Sequence, residues 1–237
     1  MLVAAAVCPC PPLLVPEVAA GAAPELDAAR TACVDALGVP AAARPDLLVV
    51  VGPAPGAGSG THPAGTRGSF RGFGVDTRVR LGAEGAGDAG RELPYGLAVG
   101  AWLLERTGWA GAPVEGIGIG EDAPPGTCAR IGRELAARAG RVALLVLGDG
   151  SARRTLKAPG YLDERAVPFD AEVTRALGAA DGPALAALDA GLARELMVSG
   201  RAPWQVLAGA AEASDLTGAL LYEDAPYGVG YTVATWS

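Results

Sequence analysis

His62 is the single histidine among 237 residues, so one chain cannot build any metal or acid/base site that needs two imidazoles. The iron triad of two His and one carboxylate, closed zinc sites with two His, and the H-E-x-x-H helix of metalloproteases are all excluded. What remains is chemistry by Asp, Glu, Cys, Tyr and Arg, or binding without chemistry. Asp149 ranks first among the candidates. It follows the apolar run Val142–Leu147 and sits between Gly148 and Gly150, where a carboxylate is expensive unless it enters a cleft or caps the next segment. Ser151, Arg153 and Arg154 come next, offering a hydroxyl and guanidinium groups suited to a ligand's carboxylate or phosphate; the plainer reading is a solvated basic loop.

The pair Glu223 and Asp224 precedes Tyr227. Two close acids raise one another's pKa and permit general acid/base work, although a polar turn between strands is the more ordinary reading, with Tyr227 and Tyr231 as rim or packing aromatics. Cys8 and Cys10 flank Pro9, and a bent loop there would present Cys10 to a cleft; as small hydrophobes both would simply be buried. Cys33 and Cys128 read as structural. His62 lies in Gly58-Ser-Gly-Thr-His-Pro-Ala-Gly65, a loop composition that suggests a solvated side chain, with a substitute base folded into the cleft as the second reading. Gly116-Ile-Gly-Ile-Gly120 lacks the G-x-G-x-x-G spacing of a dinucleotide site.

These residues need strands and helices to hold them. Leu2–Val7, Leu47–Val51, Val114–Ile119 and Val142–Leu147 have the length and continuous apolarity of strands buried on both faces, with Leu216–Tyr222 and Val229–Ala234 as two more. Between them Pro24–Leu37, Pro94–Arg106, Thr127–Ala139, Asp170–Leu177, Pro183–Leu196 and Ala202–Ala213 have helical spacing, and Val75–Leu81 alternates as an edge strand would. The expectation is a single α/β domain over 1–237, its central, largely parallel sheet flanked by helices. In such sheets ligands bind beyond the carboxyl ends of the strands, where Cys10, Gly52-Pro-Ala54, Asp149 and the 222–231 segment fall.

In order and spacing these loops resemble the B-subunit superfamily of class III extradiol dioxygenases, which includes the Memo-like proteins, over nearly the whole chain. In that family the first strand is followed by His-Pro-Pro-Leu, the second by Ser-Pro-His and a later one by Gly-Asp-x-Ser-His. Here the matching positions read Cys10-Pro-Pro-Leu13, Gly52-Pro-Ala54 and Gly148-Asp-Gly-Ser-Ala152, with Phe169-Asp170 and Gly200-Arg-Ala-Pro-Trp-Gln-Val-Leu207 as further matches. Active members hold Fe(II) with two His and a carboxylate from these loops. The resemblance therefore implies the scaffold, while Cys10, Ala54 and Ala152 stand where its three imidazoles belong.

The resulting expectation is a catalytically degenerate extradiol-dioxygenase-like protein that binds a small ligand or a protein partner in or near that cleft. Cys10, Asp149, Ser151, Arg153, His62 and Tyr227 are the ligand-binding candidates, and Asp149 and Glu223 the catalytic ones. No cofactor is expected; a bound metal would be Fe or Zn on Cys10, Asp149 and Glu223. The alternatives are an active dioxygenase on that rearranged set, a metal-free hydrolase or lyase using Asp149 and a neighbouring acid, or an interaction subunit, and a homo-oligomer fits any of them. Net charge −7 argues against nucleic acid and anionic lipid. No apolar run is long enough to span a bilayer, and four unevenly spaced cysteines suit a reducing cytoplasm.

Overall fold

Residues 1–84 and 91–237 are described by the structure, a computed structural model. Among the described residues nine strands form: β1 (Leu2–Cys8), β2 (Leu47–Pro53), β3 (Gly60–His62), β4 (Arg67–Ser69), β5 (Arg78–Arg80), β6 (Val114–Ile119), β7 (Val142–Leu147), β8 (Gly218–Asp224) and β9 (Tyr231–Trp236). The helices are α1 (Pro16–Ala19), α2 (Asp27–Ala42), α3 (Tyr95–Thr107), α4 (Pro125–Ala136), α5 (Ala166–Gly178), α6 (Gly182–Ala186), α7 (Ala190–Glu195) and α8 (Arg201–Ala211). Seven strands make one sheet in the order β3-β6-β2-β7-β1-β9-β8, with the central four parallel. Both margins are antiparallel: β3 runs against β6, and β9 against β1 and β8.

The unbroken apolar runs are explained by two cores. Val7, Val49, Val51, Leu144 and Val146 point into one, shared with α4 to α8, and Cys8, Leu48, Val50, Leu145 and Leu147 into the other, shared with α2 and α3. Each central strand thus buries both faces against helices, as parallel strands require. Register also brings the strand ends level, since Cys8 and Val51 pair with neighbouring β7 residues Leu147 and Val146, while Pro53 pairs with Ile119. The loops that leave β1, β2, β6 and β7 therefore share one rim.

Three expected elements differ. Val75–Leu81 yields only β5, which pairs with β4 in a separate hairpin; Gly68 of that hairpin packs against Ala98 of α3, and both strands lie against that helix, so the hairpin covers a helix and extends no sheet edge. Pro183–Leu196 is two short helices, because Asp189 leaves helical geometry and its carboxylate accepts the Leu192 N–H (2.6 Å), starting α7 afresh. Ahead of α2 the chain runs as a 3₁₀ turn over Ala20–Leu26, and the helix itself continues through Pro40 to Ala42.

Helices α4 and α8 cross at Gly132 and Gly209. A Cβ on Gly209 would enter contact distance of the Ala129 carbonyl, and one on Gly132 that of Val206. Gly209→Ala must separate the helices, and should lower stability by about 1–3 kcal/mol, read by urea denaturation.

Candidate functional site

The shared rim opens a cleft of about 1150 Å³. Its floor is Asp149, with Tyr95 from the first turn of α3, Ser199 and Arg201 from the entry to α8, Tyr231 from β9, and Glu121 from the loop after β6. Asp149 is half-buried and fixed from both sides. Its Oδ1 accepts the Cys10 N–H (2.8 Å), its own N–H donates to Ser199 Oγ (3.0 Å), and its carbonyl accepts the Gly200 N–H (3.0 Å). The flanking glycine is required here, because a Cβ on Gly148 would collide with the Gly200 backbone. Oδ2 receives no hydrogen bond among the described residues.

Burial dominates the electrostatics. It pushes the Asp149 carboxyl up to about 7, opposed only by the Cys10 N–H. Burial also raises Tyr95 and Tyr231 above the ordinary phenol value and lifts Glu121, against which Arg201's positive charge acts. Arg201 is itself buried, donating to the Ala123 and Glu121 carbonyls and to Gln205 Oε1 (3.1 Å), so its charge braces the 121–123 wall.

Of the residues singled out in the sequence, Cys10, Asp149 and Tyr227 converge here. Cys10 is fully buried behind Asp149; burial first, and the Asp149 charge second, hold its thiol protonated, with the Ser199 hydroxyl against it. Tyr227 lies on the rim and donates its hydroxyl to the Glu25 carboxylate (3.0 Å).

The other candidates do not join the cleft. Glu223 is exposed on β8, and β9 and β1 separate that strand from β7, so Cys10, Asp149 and Glu223 form no common ligand set. Ser151 is buried beside the cleft, its N–H and hydroxyl both donating to Asp170 (2.8 and 3.1 Å). Asp170 also pairs with Arg154 (3.1 Å), yet burial outweighs these donors and raises its carboxyl. Arg153 packs its stem against Gly160 and lies off the cleft wall. His62 is buried in β3 opposite Gly116, with Nε2 and the Gly58 carbonyl 2.8 Å apart, and the solvated loop expected from its neighbours is replaced by an edge strand.

The iron site that the resemblance implies does not fit these residues. Ala54 is fully buried, Ala152 offers a methyl group to the cleft wall, and Cys10 presents a sealed thiol, leaving the Asp149 and Glu121 carboxylates as the acidic donors on the floor. Among the described residues no three His, Cys, Asp or Glu side chains are grouped to hold a metal ion. Tyr95, Ser199, Glu121 and Arg201 were not apparent from sequence. Ser199 immediately precedes the Gly200-Arg-Ala-Pro-Trp204 segment, and Tyr95 follows a Pro that starts a helix, which are the available signals.

No helix of the described residues is long and apolar enough to cross a membrane. Neither a protein-family model nor a curated protein matches the chain. Among solved structures, the chain is similar to the crystal structure of uncharacterized protein JW3007 from Escherichia coli K12, at 16% identity and a TM-score of 0.57, covering 98% of each chain. That likeness shows a shared fold of mostly parallel α/β type.

Proposed function

We propose that this chain is a catalytically degenerate relative of the class III extradiol dioxygenases that binds a small molecule in the cleft over Asp149. The observation that carries the reading is the cleft itself: about 1150 Å³, set at the carboxyl ends of the parallel strands and floored by an acid held near neutrality. The ring-cleaving chemistry needs a ferrous ion with open positions, and the Asp149 and Glu121 carboxylates beside a sealed thiol, with no imidazole lining the cleft among the described residues, are too poor a donor set for it. What these residues do well is present a rigid oxygen acceptor between tyrosines.

The test is metal analysis by mass spectrometry on protein purified without chelator, together with a catechol ring-cleavage assay after adding Fe(II). The expected result is mixed metal well below one equivalent per chain and no ring-opened product. One equivalent of a single metal, lost in Cys10→Ala or Asp149→Ala, would overturn the degenerate reading.

A further inference from the structure

Within that cleft one acceptor lacks a donor. Among the described residues Asp149 Oδ2 has no hydrogen bond and the carboxylate has no ion pair. The nearby cation, Arg201, spends its donors on the Ala123 and Glu121 carbonyls and Gln205. The other groups facing Asp149 are the neutral Cys10 thiol, the Ser199 hydroxyl, the Tyr95 and Tyr231 phenols, and Glu121. Together they offer acceptors and aromatic surface, and neither cation of the lining, the engaged Arg201 or the exposed Arg194, pairs with Asp149.

We infer that the cleft takes a primary ammonium group on an apolar or aromatic body, its N–H donors directed at the open oxygen of Asp149. The inference rests on the small-ligand reading above and names its chemistry. An ammonium supplies the missing charge-assisted donor, and tyrosine faces add cation–π attraction. The acids Asp149, Glu121 and Asp122 outnumber Arg194 and Arg201 in the lining, which with a chain charge of −7 favours cation entry. A ligand carboxylate would instead meet like charge at a buried acid. Apolar wall from Pro11, Pro12, Val198 and Val229 accommodates the body.

Phenethylamine, 2-phenylethanol and phenylacetate share size and ring and differ in the head group, so calorimetric titration of the whole chain with all three isolates the head-group preference. The amine is expected to bind at pH 8 with a Kd of about 1 mM or tighter, and the alcohol and acid roughly tenfold more weakly or worse. Asp149→Asn, which keeps the acceptor for the Cys10 N–H, should weaken the amine at least about tenfold. An alkylammonium stays protonated up to about pH 10, so the Asp149 carboxyl at about 7 sets the pH dependence, and amine affinity should rise about tenfold from pH 6 to pH 8. Equal or tighter binding of the alcohol or the acid overturns the ammonium assignment and leaves the small-ligand reading standing. Amine binding unchanged in Asp149→Asn overturns it as well, as does the absence of any amine binding. The parent reading fails separately, if a broad fragment screen by ligand-observed NMR finds no compound whose binding is altered by Tyr95→Ala or Val229→Arg.

Discussion

Asp149→Asn should fold more stably than the parent chain at pH 8, by about 2–4 kcal/mol, with the gap closing toward pH 4. Lifting a carboxyl from an ordinary 3.8 to about 7 corresponds to at most about 4 kcal/mol, discounted at the lower end because the side chain is partly exposed. In the unfolded chain Asp149 loses its proton near 3.8, and in the folded chain near 7. Between those values the fold binds more protons than the unfolded state. Stability therefore falls as pH rises through that window and levels off above about 7. Asparagine removes the charge while its Oδ1 still accepts the Cys10 N–H, so the variant should lack this slope. Urea denaturation at pH 4, 6 and 8 measures both curves; parallel curves for the two proteins would refute a buried ionisation at this position. A stabilising substitution on the cleft floor is what a group kept for ligand contact, against the stability of the empty protein, should produce.

The opposite sign is expected at Asp170. Asp170→Ala should cost about 3–5 kcal/mol, because the Ser151 N–H, the Ser151 hydroxyl and the Arg154 guanidinium lose their acceptor inside the protein. The same carboxylate packs against Gly150 and Gly230, where a Cβ at either position would collide with it, so it ties the 148–154 loop to β9. Thermal denaturation reads the loss. Amide exchange at Ser151 and Gly230 should accelerate in the variant even under conditions where the fold survives. Protection unchanged at both amides would show that the backbone pairing of Gly150 N–H with the Gly230 carbonyl (2.7 Å) and of Gly230 N–H with the Ser151 carbonyl (2.9 Å) holds this junction without the carboxylate.

The central strands were readable because residues such as Val49 and Val50 face different cores, which forces unbroken apolar runs. Antiparallel margins were not readable, since β9 is as buried as the parallel strands and its direction leaves no mark in composition. His62 misled because three residues of β3 are too few to show a period, and because Gly58, which reads as loop chemistry, brings its carbonyl against Gly118 of β6. For the site, Asp149 and Cys10 stood out by following buried strands directly. Ser151 looked equivalent by position, but its partner Asp170 lies 19 residues away on a helix and turns it inward. Tyr95, Glu121 and Ser199 reach the floor from three separate loops or helix starts, and only the tertiary register that levels the strand ends brings them together.

Strand order also dictates how this chain acquires its fold during synthesis. β1 is made first, yet its partners are β7, which begins at Val142, and β9, which begins at Tyr231. At ribosomal speeds of about 5–20 residues per second, roughly ten seconds or more separate β1 from its second neighbour. For that interval Leu2–Cys8 is an apolar strand with an open edge, the kind of segment that nascent-chain chaperones hold. Release from the ribosome before Tyr231 leaves β1 unpaired on one side at the heart of the sheet, so truncated products should be cleared or aggregate while the finished protein does neither.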